Sequence, residues 1–559
     1  MSKPYQRDPV KAPRVKGLAL KAFVTALESP VGAVIIDKIM ADSGFHRFRA
    51  LDAGTASPLQ YPLPHPQPPL ASAPPHELAA AAVDAVAASS KAGGPETVAR
   101  FVAAYKEGAS PVDVVARIER SVQGFAADGM GFFIARKPEE LARDAAASAQ
   151  RHKERKTLSV LDGVPFVIKD ELDVKGYATT LGTSWRHGIA DADSTIAARL
   201  RAAGALLVGK GNMNEIGINP IGLNPHWGVC RNPWDKTRIT GGSSSASAAT
   251  VAAGLAPISI GADGGGSIRI PASLCGVVGL KATHGRIPET GVPPLCWTPG
   301  HAGPFGRTVG DVAAAYAVIA GKDDHDSASW SQPAPSLASF ADLDVKGLRL
   351  GVCWPWIEDA DPDVVARTKE AIKALTDRGC VVVEVQPVDL NRVLWAHATI
   401  ILSEMATAMR AEIEKGAERF AYDTRTNLAI AQRFSAMDYV HALRHRHAIT
   451  IETLALFQTV DVIASPTTAT VAPAIPEDTL PDGDSNLPVV DGLMRFVRVG
   501  NLVGTPAISV PSGFDSQGLP VGFHLMGRPY EEHTLLRLAR VVELAAEQRQ
   551  PRGVATSLS

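Results

Sequence analysis

The sequence predicts an α/β fold in which a large mixed, mostly parallel sheet is covered by helices on both faces. Two series of segments alternate between strand and helix, because apolar β-branched runs are separated by amphipathic ones. These series cover 164–168, 195–203 and 205–208, and then 348–353, 362–375 and 381–385. Such alternation is typical of β-α-β units with a parallel sheet. Three further apolar segments, at 460–466, 506–513 and 519–525, are expected to complete the sheet before a final helix over 532–546.

Length and composition describe an ordinary globular protein with more than one small core. The chain has 559 residues, of which 45% are hydrophobic and 20% charged, and a formal net charge of −2. This charge gives no electrostatic reason to expect binding of nucleic acid. We expect an N-terminal extension over 1–95, a catalytic domain over 96–546 and a C-terminal tail over 547–559.

The extension has two contrasting parts. Residues 16–40 are typical of one or two amphipathic helices, whereas 58–75 contain eight prolines and should be extended. The extension is therefore expected to wrap the body or a partner subunit, and peripheral contact with a lipid surface is the alternative. No apolar run reaches the length of a membrane span, and the interrupted N-terminal pattern does not favour a signal peptide.

The five cysteines are scattered along the chain and include no CxxC pair. An odd number of unpaired thiols favours a reducing, cytoplasmic environment and gives no pattern for a zinc site. We expect neither a metal nor another cofactor.

The segment 239–286 contains two serine clusters flanked by glycines, GGSSS at 241–245 and DGGGS at 263–267. Between them, the small residues of 246–253 predict a tightly packed helix that starts near Ser243 or Ser244, whose hydroxyls could cap it. Gly254 should end this helix, and 258–260 should form a short buried strand. A helix and a strand between two glycine turns can bring Ser243 and Ser267 to one place, which we interpret as the active site.

Other glycine-rich motifs fit this segment poorly. A phosphate-binding loop requires a lysine that is absent here, and a dinucleotide-binding turn requires glycine where Arg269 stands. The nucleophile elbow Gly-x-Ser-x-Gly fails at the same arginine.

The segment instead resembles the amidase signature family, whose members cleave amide bonds with a Ser–Ser–Lys triad. Six motifs in the right order carry the resemblance, which extends over residues 95–545. They are LDGVPFVIKD at 161–170, GKGNMNE at 209–215, GGSSS at 241–245, DGGGSIRIP at 263–271, CGVVGLKATHGR at 275–286 and ASPTTATVAP at 464–473.

The resemblance implies that Ser267 is the nucleophile, Lys169 the base and Ser243 the proton shuttle between them. An amine can accept a proton only when it is neutral, and the apolar run before Lys169 suits that requirement. The backbone N–H groups of Gly264, Gly265, Gly266 and Ser267 are expected to stabilise the oxyanion. In support of these groups, Asp263 and Arg269 should pair across the glycine turn, and Ser244 should hydrogen-bond the lysine.

Several stretches are most similar to the plant-type fatty acid amide hydrolases, among them 159–173, 422–426, 434–438 and 493–496. This likeness implies a fatty acyl amide, such as an N-acylethanolamine, as substrate, and a homodimer. The residues expected to line an acyl pocket are Met213, Leu493, Met494 and Phe496. Two alternatives remain: a broad amidase acting on small or aryl amides, and the amidase-like subunit of a tRNA-dependent amidotransferase.

Overall fold

The structure, a computed structural model, describes residues 5, 7–10, 12–58, 63–66, 68–87, 95–476 and 483–558. Pro62 of the predicted proline-rich segment lies outside the described residues. The other residues of that segment that precede Pro75 are in neither helix nor strand, as expected for a proline-rich run.

Thirteen strands are found in the described part of the chain. They are β1 Val15–Lys16, β2 Phe133–Ala135, β3 Pro165–Lys169, β4 Leu206–Gly211, β5 Ile258–Ala262, β6 Val278–Lys281, β7 Ala302–Gly306, β8 Arg349–Val352, β9 Val381–Glu384, β10 Val462–Pro466, β11 Asp484–Ser485, β12 Ala507–Phe514 and β13 Pro520–Gly527.

Twenty α-helices are found in the same residues. They are α1 Gly17–Leu27, α2 Gly32–Asp42, α3 Phe45–Arg49, α4 Pro75–Ala87, α5 Val98–Lys106, α6 Pro111–Ala127, α7 Pro138–Glu154, α8 Thr195–Ala202, α9 Ser245–Ala252, α10 Arg269–Cys275, α11 Val309–Ile319, α12 Trp354–Ile357, α13 Pro362–Asp377, α14 Leu390–Ala408, α15 Arg410–Glu414, α16 Tyr422–Ala431, α17 Ala436–Leu456, α18 Leu487–Met494, α19 Arg498–Val503 and α20 Glu532–Ala545.

Eleven of the described strands form one sheet in the order β2-β4-β3-β5-β7-β6-β12-β13-β10-β8-β9. The α/β fold with a large mixed sheet is confirmed. Strands β4, β3 and β5 are parallel, as are β10, β8 and β9, and these are the two places where the sequence alternates strand and helix. Elsewhere the neighbours run antiparallel, so the parallel pairing does not extend through the middle of the sheet.

The centre of the fold is the short helix α9, all of whose residues are buried. Its small side chains allow close approach to the sheet, and two of its contacts to β5 are polar. The Ser247 hydroxyl donates to the Ile260 carbonyl over 2.9 Å, and the Ser259 hydroxyl donates to the Ser247 carbonyl over 2.6 Å. The predicted helix at 246–253 and strand at 258–260 are therefore both present, within two residues of the expected bounds.

The N-terminal extension lies against the body of its own chain. The side chain of Arg7 pairs with Asp359 and Asp491, each over 2.7 Å, and Arg49 pairs with Asp438 over 2.7 Å. The C-terminal tail is held as well, because the backbone N–H of Ser557 donates to the Glu96 carboxylate over 2.8 Å.

The predicted amphipathic segment at 16–40 consists of the two helices α1 and α2, between which the chain bends by 108°. Only as a bent pair do these helices have the apolar length of a membrane span. No single helix in the described ranges combines the length and apolarity that crossing a membrane requires.

Two glycine substitutions test how tightly the sheet is packed. A Cβ at Gly303 in β7 would lie 2.4 Å from the Leu280 backbone oxygen, whereas a Cβ at exposed Gly124 in α6 would meet nothing within 4 Å. We expect Gly303→Ala to lower the free energy of unfolding by about 1–3 kcal/mol through overpacking. Gly124→Ala should raise it by roughly 0.5–1 kcal/mol, because alanine loses less entropy in a helix. Denaturant unfolding measures both values, and equal values for the two variants would contradict the packing described for β7.

Candidate active site

Lys169 ends the buried strand β3, and its side chain is only 1% exposed. Its Nζ donates a hydrogen bond to Ser243 Oγ over 2.8 Å. The structure thus brings together two of the three residues assigned to the triad, from positions far apart in the sequence. The lysine is also shielded from solvent, as the expected role requires.

Glu171 is the residue in this site that the sequence analysis missed. Its carboxylate contacts Lys169 Nζ, and its side chain is 7% exposed. The neighbouring Asp170 faces the other way, where it forms a buried ion pair of 3.0 Å with Lys210 of β4. A signal for Glu171 was present in the sequence, because residues two apart in an extended segment point to the same side.

Ser243 follows a narrow glycine turn. A Cβ at Gly242 would lie 2.5 Å from Asn214 Oδ1, so a larger residue does not fit there. The peptide bond between Gly242 and Ser243 is cis. The predicted contact between Ser244 and the lysine is wrong: the Ser244 hydroxyl donates to the Ala262 carbonyl over 3.0 Å and accepts from its N–H over 3.2 Å. For the same reason Ser244, although it precedes α9, makes no side-chain cap for that helix.

The second glycine turn leads from β5 to α10 and is organised by a buried ion pair. Arg269 Nε lies 3.0 Å from Asp263 Oδ2, and both side chains are 0% exposed. The Asp263 carboxylate also accepts from the backbone N–H groups of Gly266, over 2.6 Å, and Ile268, over 3.1 Å. Asn501 of α19 donates to the same carboxylate over 2.9 Å.

This network changes the assignment of oxyanion donors. The Gly266 N–H is directed to Asp263, so it does not converge on the cleft with the others. The N–H groups of Gly264, Gly265 and Ser267 have no acceptor among the described residues. Three of the four predicted donors therefore remain available to a bound ligand.

A cleft of about 600 Å³, counted with its solvent-open part, connects these groups. Lys169, Ser243 and Ser267 all line it, and so do Gly264 and Gly265. Its volume lies within the usual range for small-molecule sites. The apolar part of its wall consists of Ile218, Pro220, Val292, Pro293, Pro294, Leu295, Ile401 and Met494.

Glu289 is a second carboxyl group in the wall of the cleft. Burial, together with the negative charges of Asp326 and Glu171, raises the pKa of Glu289 to about 8. At neutral pH this group is therefore mainly uncharged, and the cleft avoids placing two adjacent negative charges beside the serines.

The four residues expected to line an acyl pocket are separated in the structure. Met494 lines the cleft. Leu493 is buried in a hydrophobic cluster with Ile270 and Leu274, and Phe496 packs on Trp356 with ring centroids 5.3 Å apart. Met213 is 1% exposed and is not among the cleft residues. The helical periodicity of 493–496 gave no means of choosing which side chain faces the cleft.

No group of three or more His, Cys, Asp or Glu residues suited to a metal ion occurs in the part of the chain that the structure describes. The five cysteines are all buried and unpaired.

The sequence and the structure both match known proteins. The model of the amidase family matches residues 126–536. A fatty acid amide hydrolase of Arabidopsis thaliana is 37% identical over 98% of this chain and 95% of that protein. The amidase-like subunit of the glutamyl-tRNA(Gln) amidotransferase of Chloroflexus aggregans is 36% identical over 72% of this chain and 86% of its own. Among solved structures, a peptide amidase of Stenotrophomonas maltophilia aligns with a TM-score of 0.71 and 25% identity, over 82% of this chain and 99% of that one.

The buried ion pair below the glycine turn can be tested by removing its cation. We expect Arg269→Met to destabilise the protein by about 3–5 kcal/mol, because the Asp263 carboxylate would be left buried without its partner. A matched control is Arg410→Met, whose side chain is 79% exposed and pairs with Glu414 on the surface. That change should cost only about 0.3–0.5 kcal/mol. Thermal and denaturant unfolding give both values, and a small effect at Arg269 would contradict the organising role of the pair.

Proposed function

The chain belongs to the amidase family and is an amide hydrolase, and we propose that it cleaves fatty acyl amides through an acyl-enzyme formed on Ser267. Ser243 and Lys169 complete the triad in this proposal. The observation that carries it is the hydrogen bond of 2.8 Å from a buried lysine to Ser243, at the wall of the cleft that Ser267 also lines.

The first step is attack of Ser267 Oγ on the carbonyl carbon of the amide. The Ser267 proton passes to Ser243 Oγ, while the Ser243 proton passes to Lys169 Nζ. The leaving amine takes a proton back along the same path when the C–N bond breaks. Water then hydrolyses the acyl ester on Ser267, and the relay again moves the protons.

This relay needs a lysine with a free electron pair, and Glu171 offers a way to supply it. The contact between the two side chains allows a proton to move from the Lys169 ammonium to the Glu171 carboxylate. The total charge of the pair does not change in that transfer, so a buried site can accommodate it without solvent. In the resulting form the neutral amine faces Ser243.

The negative charge that develops on the carbonyl oxygen is stabilised by backbone N–H groups. Gly264, Gly265 and Ser267 supply them, because their N–H groups are not directed to acceptors among the described residues. Donors fixed before the reaction are effective, since they need no reorganisation when the charge appears.

Two observations support a fatty acyl group in the substrate. The similarity to the plant fatty acid amide hydrolase extends over 98% of this chain, including its N-terminal extension, whereas the similarity to the amidotransferase protein covers 72%. The cleft also has an apolar wall that includes Leu295, Ile401 and Met494, which suits a hydrocarbon chain.

Three substitutions test the triad. Ser267→Ala should reduce turnover by on the order of 10⁶-fold, and Ser243→Ala and Lys169→Met should be severely impaired as well, because members of a catalytic unit act together. The rate of amide hydrolysis at neutral pH measures these effects. Mass spectrometry of enzyme quenched during turnover should locate an acyl group on Ser267.

Ser273→Ala is the matched control for these variants. Ser273 is a buried serine of α10 that is not among the residues of the cleft and whose hydroxyl lies 3.3 Å from that of Thr468. Its variant should retain normal turnover. Normal turnover in Ser267→Ala instead would exclude the proposed nucleophile.

A series of ethanolamides from acetyl to stearoyl tests the substrate class, with short aryl amides assayed alongside. If the acyl chain binds to the apolar wall, kcat/KM should rise with chain length, by up to about fourfold for each buried methylene at roughly 0.8 kcal/mol. Rates that do not depend on chain length would contradict the fatty acyl assignment. Activity only with glutamine and a second protein chain would favour the amidotransferase alternative.

A further inference from the structure

Two neighbouring peptide groups in the glycine turn are held from outside it by side chains of distant helices. Asn501 of α19 donates to the Asp263 carbonyl over 2.8 Å. His397 of α14 lies with its Nε2 2.8 Å from the Gly264 carbonyl oxygen. A carbonyl only accepts, so Nε2 carries the proton of this hydrogen bond.

His397 is also packed directly against the turn. Its side chain is buried, with 2% of the residue exposed. A Cβ at Gly265 would lie 2.9 Å from His397 Cε1, and a Cβ at Gly264 would lie 3.2 Å from Ile401 Cδ1, one helical turn further along α14. Helix α14 therefore supports the turn over two consecutive residues.

The hydrogen bond from His397 fixes a direction as well as a position. In a planar trans peptide the carbonyl and the N–H of the next residue point in opposite directions. The Gly264 carbonyl points to His397, which is not among the cleft residues, whereas Gly264 and Gly265 both line the cleft. The Gly265 N–H is consequently directed away from His397, and it has no acceptor in the described residues.

We propose that His397 is a positioning residue of amide hydrolysis, which holds the Gly264–Gly265 peptide so that the Gly265 N–H faces the oxygen that becomes negative in the transition state. The inference rests on the proposed function, since it assumes attack by Ser267. His397 itself does not touch the substrate and acts only through the peptide.

The chemical state of His397 suits this role. Burial, with the nearby Arg498 and Arg446, lowers the pKa of His397 to about 4. The ring is therefore neutral at the pH of the proposed reaction and has one N–H, which the Gly264 carbonyl receives. A neutral ring places no positive charge behind the turn, so the assigned contribution is geometric.

Two variants of His397 separate this role from simple packing. His397→Leu fills much of the space without a donor, whereas His397→Gln retains an N–H near the position of Nε2. We expect His397→Leu to lower kcat by about 10²-fold with little change in KM, since a misdirected group affects mainly the transition state. His397→Gln should recover most of this loss. The assay uses dodecanoyl ethanolamide, and circular dichroism with thermal unfolding verifies that each variant is folded.

A transition-state analogue provides a second measurement. A dodecyl trifluoromethyl ketone forms an oxyanion when a serine adds to it, so His397→Leu should weaken its inhibition by the same factor as kcat/KM. The control is His445→Leu, a buried histidine of α17 that lies 3.1 Å from His441 and is not near the turn. It should keep kcat and inhibition unchanged even if it lowers stability.

The outcomes distinguish the inference from the function on which it rests. Normal kcat and inhibition in His397→Leu, beside an inactive Ser267→Ala, would overturn the role of His397 and leave the triad intact. Equal impairment in the Leu and Gln variants, with KM raised as much as kcat is lowered, would reduce His397 to packing. Normal turnover in Ser267→Ala would remove the triad and this inference together.

Discussion

The structure of the site depends on the buried ion pair between Asp263 and Arg269. An unpaired charge at this depth would be costly, so the arginine must stay in contact with the carboxylate. The carboxylate in turn receives the N–H groups of Gly266 and Ile268, which fixes the start of α10 and the turn before it. Ser267 lies between these two residues, so the position of the assigned nucleophile follows from the ion pair.

The sheet brings the lysine to this turn. Strands β3 and β5 are parallel neighbours with Ile168 opposite Ile260, so both strands end at the same edge. Lys169 ends one, and Asp263 directly follows the other. Binding sites of α/β sheets lie at the carboxyl ends of such strands. Helix α9 then connects the two serine turns within a space that only small side chains fill.

Sequence patterns could predict the parts of this arrangement that depend on local chemistry. The strand before Lys169, the small-residue helix and both glycine turns have signals of their own, and the structure places them close to the expected bounds. The direction of an N–H group has no such signal: Gly266 looks equivalent to Gly265 in sequence, and only the tertiary position of Asp263 separates them. The support from His397 is likewise invisible, because the two contacting segments are joined only by folding.

Charge balance explains how so many ionisable groups share one small site. Asp263 is compensated by Arg269, and Glu171 by Lys169, so each anion has its cation in contact. Glu289 has no such partner beside it among the described residues, and its raised pKa leaves it mainly neutral at pH 7. A site with no excess charge can bind an uncharged amide without a large electrostatic cost. The preformed field then acts mainly on the charge that appears during the reaction, as differential binding of the transition state requires.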